Sequence, residues 1–229
     1  MPLPLRLLTH ACQLHQCCTV AADTSQSTYA VVAANVAAAK ALEAKAAPVV
    51  YRIHETPSRE KLMAFKEYLA SQGRKFALGQ VITPGLFNRM LKDVSDPAEK
   101  ALIMEAVLRS QTQAYYGPAN AGHFGLSLGS YAHFTSPIRR YADLIVHRVV
   151  YQNQKLDGAM LEEAADRISL TERNSSDAEF DSKLIKLLSH LNRQLDSGQP
   201  ETYTGMVTEV HNIGAMIDVV GLGIKGLVK

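Results

Sequence analysis

The chain has 229 residues, 47% of them hydrophobic and 20% charged, and 24 Lys and Arg against 22 Asp and Glu leave a net charge of +2. With a mean hydropathy of −0.06, this composition excludes an intrinsically disordered chain, a multi-span membrane protein and a polycation. No run approaches the roughly 18–20 apolar residues that a spanning helix needs, so no membrane partner is expected.

All three cysteines, Cys12, Cys17 and Cys18, sit near the start. An odd number crowded at one end is not a disulfide framework, and the body of the chain reads as cytoplasmic. Residues 1–26 hold no helical or strand period for long and read as a disordered or displaced leader. His10, Cys12, His15, Cys17 and Cys18 make that tract ligand-rich, but no Cys-x-x-Cys pair repeats at a zinc-site spacing.

From Ser27 to Ala47 the composition turns Ala-rich and predicts a helix capped by Ser27 or Thr28 and stopped by Pro48. Its apolar face is expected at Val31, Val32, Val36, Ala39 and Leu42. A short β-type run, PVVYRIHETP, follows. Ser58 and Gly73 bracket a second helix over about 58–72, and Pro84 and Pro97 open helices over about 84–94 and 97–115. Residues 116–136 mix Gly and Pro with aromatics and histidines, which predicts a structured loop or short strands. Pro137 is expected to open a long amphipathic helix with Ser136 as its N-cap, and another helix covers about 159–196. SGQP at 197–200 reads as a linker. Beyond it the period changes to about 2, and TGMVTEV, AMIDVV and KGLV read as three short strands.

The densest cluster of chemistry-bearing residues is Tyr131, His133, Ser136, Arg139, Arg140, Tyr141, Asp143, His147 and Arg148. On the expected helix, Arg139, Asp143 and His147 recur at i, i+4 and i+8 and share a face. A guanidinium fork suits phosphate, a helix N-terminus adds free N–H groups, and aromatics in the preceding loop could stack on unpaired bases. Spacing alone equally fits an exposed Arg–Asp salt bridge worth about 0.3–0.5 kcal/mol. His123 and His133 fit structural loop histidines as well as ligand contacts, and Glu172 and Glu179 fit one solvated helix face.

The run GHFGLSLGSYAHFTSPIRRYADLIVHR, residues 122–148, closely resembles the signature of the ribonuclease R / ribonuclease II (RNB) family of processive 3'-to-5' exoribonucleases. ANVAAAKAL, VYRIHETPSREKL, VLRSQTQAYYGP and TERNSSDAEFD extend the resemblance over about residues 30–195, with the ribonuclease R branch the most similar. The tail from about 201 resembles the start of an OB-fold RNA-binding module, with Ile213 and Met216 where that module commonly carries aromatics. The resemblance implies an α+β fold: residues 27–196 as the mainly helical C-terminal half of an RNB domain, then a partial OB-type β-barrel over 201–229. It implies Mg²⁺-dependent hydrolysis of RNA to nucleoside 5'-monophosphates, single-stranded RNA as partner, and a monomer.

By resemblance Arg139 grips the phosphate backbone beside the scissile bond, and Glu179 lies close to the terminal nucleotide. These two are the expected catalytic residues. Tyr131, His133, Ser136, Arg139, Arg140 and Tyr141 make up the expected RNA-binding set. Phe180 stands where the family usually has a basic residue. The family holds its metal with an early cluster of aspartates, and nowhere in this chain do three aspartates fall within six residues. No metal ligands are therefore expected, the leader reads as sequence joined to a family fragment, and the isolated chain is expected to be inactive. Three readings stand: an exoribonuclease fragment that keeps part of the RNA channel without the metal site, with a separate chain as one source of the missing half; a non-catalytic single-strand RNA-binding module; or a truncated product without a role of its own.

Overall fold

The computed structural model describes residues 24–229 apart from 78, 80, 155, 199 and 220. The expected leader, with its cysteines and histidines, therefore lies almost wholly outside the described residues. The architecture is α+β: helices dominate, with a two-stranded and a three-stranded antiparallel sheet.

Two compact units divide between Glu172 and Arg173. In the first, helix α1 (Thr24–Ala44) leads into strand β1 (Tyr51–Ile53). Three helices follow: α2 (Arg59–Ser71), α3 (Pro84–Lys92) and α4 (Pro97–Ser110). Strand β2 (Tyr115–Gly117) then pairs antiparallel with β1, with Arg52 opposite Tyr116. A single 3₁₀ turn, Phe124–Leu126, precedes helix α5 (Tyr141–Gln152). Helix α6 runs from Gly158 to Asp196 and contains the division between the units.

Local chemistry explains several boundaries. The Ser58 hydroxyl accepts the Lys61 N–H at 3.3 Å and caps α2, and Gly73 takes the left-handed φ of 72° that ends it. Helix α4 stops at Ser110, short of the expected 115, because Tyr115 to Gly117 are taken up by pairing with β1. The buried stripe of α1 also differs from expectation. It runs through Asn35, Ala38, Ala39 and Leu42, while Val31 is exposed. A polar residue occupies that stripe because it is fully hydrogen-bonded there, as described below.

Two apolar clusters flank β1 and α5. Ala38, Ala39 and Leu42 of α1 pack with Val49, Tyr51, Ile53, Ala132, Val146 and Val149. Val50, Tyr116, Ala142 and Ile145 pack with Leu161 and Ala165 from the start of α6. Helix α5 is thus gripped on two sides, which fixes the segment that feeds into it. A third cluster joins α2, α3 and α4 around Phe65, Phe76 and Phe87, whose ring centroids lie 5.0–5.8 Å apart.

In the second unit, strands β3 (Gly205–His211), β4 (Gly214–Val219) and β5 (Ile224–Val228) form an antiparallel sheet in chain order. A register shift between Val207 and Glu209 bends β3. Gly214 has φ 147°, and a Cβ there would collide with the Val228 carbonyl of β5.

Candidate functional site

The chemistry-bearing cluster is built around the segment from Tyr131 to Arg140. Backbone bonding ties its start to the sheet: Arg52 N–H donates to the Tyr131 carbonyl at 2.9 Å. Residues 137–139 form a turn in which the N–H groups of Arg139 and Arg140 both donate to the Ser136 carbonyl, at 3.2 and 3.1 Å. Helix α5 begins only at Tyr141, with Arg140 extended at its N-cap (φ −120°, ψ 116°). The expected helix start at Pro137 with Ser136 as cap is therefore corrected. Asp143 is the reason. Its wholly buried carboxylate reaches back over the turn and accepts Ser136 N–H at 2.6 Å and Arg140 Nη2 at 2.8 Å. The Ser136 N–H is thus used within the turn, and Arg139 does not share a helix face with Asp143 and His147.

Three further side chains hold the segment. Asn35 of α1 is fully buried; its Nδ2 donates to the Tyr131 hydroxyl at 3.0 Å and its Oδ1 accepts Phe134 N–H at 2.9 Å. His147 of α5 donates from Nε2 to the Phe134 carbonyl at 2.8 Å and stacks on the Phe134 ring at 4.3 Å. Upstream, the Glu43 carboxylate accepts from Ser130 Oγ at 2.8 Å and from Asn120 Nδ2 at 3.1 Å, which pins the glycine-rich loop to α1.

The expected RNA-binding residues separate into an inner and an outer group. Tyr131 is buried, so burial takes its ring out of reach of a stacking base. His133 is half-buried, with Nδ1 at 2.8 Å from the Tyr116 hydroxyl. Burial first, and then the nearby Arg140 and Arg52, hold His133 well below the usual histidine range, so it is neutral. Arg140, expected as a second phosphate contact, is 17% exposed and paired with Asp143. Ser136 serves the turn through its backbone. The outer group is Arg139 and Tyr141. Arg139 is exposed, and its guanidinium has no ion pair among the described residues. Tyr141 is 51% exposed, with the Arg148 guanidinium 5.9 Å from its ring centroid.

Glu179 lies in the second unit on α6, ion-paired to Lys183. Glu172 is more than part of a solvated face: it takes Arg52 in a bidentate pair at 2.6 and 3.0 Å. That guanidinium also lies 4.6 Å from the Tyr116 ring centroid. Spacing had no means of showing Asn35, Glu43 or the Arg52–Glu172 pair, because each joins residues far apart in the chain.

A row of buried and half-buried rings lines the segment. His54 and His123 lie 5.1 Å apart, His123 and Tyr131 5.4 Å, and Tyr131 and His133 5.6 Å. His54 accepts Gly125 N–H on Nδ1 and donates from Nε2 to the Thr112 carbonyl. Burial, together with the His54 and Arg52 charges, pushes His123 down to about 3. The neutral His54 and His123 rings accept the Gly125 and Leu126 N–H groups, which makes this row a structural support.

The donor set does not fit a divalent metal. Among the described residues no group of three or more His, Cys, Asp or Glu side chains is placed to hold an ion, and Asp143 is committed to Arg140 and Ser136.

Comparison with known proteins matches the RNB domain to residues 23–155, more than half of the chain, and the chain belongs to the RNB domain family. Among curated relatives, ribonuclease R of Aquifex aeolicus is 35% identical over 206 residues, covering 86% of this chain and 28% of that protein. The chain thus spans under a third of the length of the relatives it matches. In fold it is similar to Mycoplasma genitalium RNase R solved with ribose-methylated single-stranded RNA, at a TM-score of 0.76 and 24% identity, over 92% of this chain and 34% of that one. It is also similar to yeast Ssd1, described as a pseudonuclease, at a TM-score of 0.72 and 21% identity, over 85% and 25% of the two chains.

Proposed function

We propose that this chain forms the phosphate-gripping part of a 3'-to-5' exoribonuclease and binds single-stranded RNA through Arg139. The observation that carries this reading is the exposed guanidinium of Arg139 on a turn that the buried Asp143 carboxylate holds through Ser136 N–H and Arg140. Tyr141, two residues on, offers an exposed ring with the Arg148 guanidinium near it, and a flexible nucleotide chain could use both. Family membership and the RNA complex of the M. genitalium enzyme support RNA as the ligand. Glu179 is proposed as a contact to the terminal nucleotide, and the three-stranded sheet as part of an OB-type RNA-binding module. The divisions at 27–196, 197–200 and 201–229 are proposed as functional boundaries.

The sequence offers no cluster of aspartates to organise Mg²⁺, so the isolated chain is expected to bind RNA without hydrolysing it. Cytoplasmic location is proposed on the same family grounds, and no helix among the described residues is long and apolar enough to cross a membrane. The test is a time course of end-labelled single-stranded RNA with the pure chain and Mg²⁺, alongside a binding titration over a salt series. Salt-sensitive binding of intact RNA is expected. Metal-dependent shortening would overturn the expected inactivity, and absence of salt-sensitive binding would overturn the RNA reading.

A further inference from the structure

We infer that Asp143 is a positioning residue that divides the labour of two adjacent arginines: it takes Arg140 into the protein as a structural cation and leaves Arg139 alone to meet phosphate. The inference rests on the RNA reading above and adds to it a specific assignment of roles. In the sequence the two arginines are equivalent neighbours. In the structure they are not.

The Asp143 carboxylate is wholly buried and makes two bonds through Oδ2, one to the Ser136 backbone and one to the Arg140 guanidinium. A buried carboxylate is stable only with such partners, so Arg140 cannot leave without stranding a charge. Arg140 is also the N-cap residue of α5, so its backbone cannot swing outward while the helix holds. Helix α5 is itself fixed by Ala142, Ile145, Val146 and Val149 in two apolar clusters. The turn is tied on its other side by Asn35 and His147 at Phe134. Arg139 is one residue further from the helix, and its side chain therefore emerges from a turn with a fixed start and end.

The buried bonding is incomplete in one place. Among the described residues, Asp143 Oδ1, Arg140 Nε and Thr135 Oγ1 have no hydrogen-bond partner. They are two donors and an acceptor in adjoining residues, which ordered water can satisfy.

The experiment maps arginine reactivity in the full 229-residue chain with phenylglyoxal and mass spectrometry, with and without oligoadenylate. Arg139 is expected to be modified in the free chain and protected by RNA, and Arg140 to stay unmodified in both. In Asp143→Asn, which keeps an acceptor for Ser136 N–H but removes the charge, Arg140 is expected to become reactive. Modification of Arg140 in the free wild-type chain, followed by protection with RNA, would overturn the inference. So would an inert Arg140 in a folded Asp143→Asn chain. If that variant does not fold, the wild-type footprint and matched glutamine variants decide. Arg140→Gln, whose amide can still donate to Asp143, should bind RNA with an unchanged salt slope, whereas Arg139→Gln should lower the slope by about 0.7, near a threefold smaller affinity loss over a fourfold rise in salt. Equal slope losses in both variants would refute the division of roles. RNA that binds no arginine at all refutes the RNA reading instead, and the Asp143→Asn reactivity of the free chain still judges the positioning role.

Discussion

Replacing Asn35 with Ala should loosen the whole first unit. The side chain is fully buried and makes two bonds, to the Tyr131 hydroxyl at 3.0 Å and from Phe134 N–H at 2.9 Å. Truncation strands a buried donor and a buried hydroxyl, each costing about 1–3 kcal/mol, and leaves a small void. A loss of about 4 kcal/mol follows, near 8–16 °C in melting temperature for a chain of this size. Tryptophan is absent and every tyrosine but Tyr203 precedes Glu172, so near-UV circular dichroism of tyrosine reports on the first unit. Tyr131→Phe removes one of the two bonds and should cost about 1–2 kcal/mol. The double variant should show coupling above about 0.5 kcal/mol between these touching residues. An Asn35→Ala chain that melts within about 2 °C of wild type would refute the claim that this asparagine braces the segment before the turn.

Other consequences are open to the same kind of measurement. Phe87→Ala, at the centre of the aromatic cluster, should lower stability by about 3–5 kcal/mol in urea unfolding with an unchanged slope. His123 is neutral when folded and held at about 3, whereas the unfolded chain takes up a proton near 6.5. The unfolded state therefore binds the extra proton, and stability is full above that upper value and falls as pH drops toward the lower one. About 2 kcal/mol should disappear between pH 6.5 and 5 from this ring alone, and His123→Asn, which can still accept Leu126 N–H, should flatten that fall in urea titrations. Gly214→Ala, with its positive φ and its clash with the Val228 carbonyl, should speed amide exchange across β4 and β5 while leaving the first unit's tyrosine signal unchanged.

Punctuation by proline, glycine and cap residues made most elements legible: α2 between Ser58 and Gly73, α3 and α4 behind Pro84 and Pro97, and three strands after the linker signal. The start of α5 misled because Ser-Pro matches a helix opening while a carboxylate seven residues on claims Ser136 N–H for a turn. The buried stripe of α1 misled because Ala and Val hardly differ in pattern, and because an asparagine can lie inside once both its ends are bonded. At the site, residue type singled out both arginines but had no power to distinguish Arg139 from Arg140. That distinction is made by burial, which depends on partners elsewhere in the fold. Tyr131 and His133 were drawn into the expected contact set by chemistry that serves equally well indoors.

The bonds from Asn35 to Phe134 and Tyr131 span 99 and 96 residues. Synthesis at roughly 5–20 residues per second puts about 5–20 s between the appearance of α1 on the ribosome and the arrival of the segment that covers it. Through that interval Asn35 lacks both of these partners, and the arginine turn cannot be set. The turn is thus among the last features of the first unit to form, and its geometry reports that α1, β1 and α5 have all been assembled.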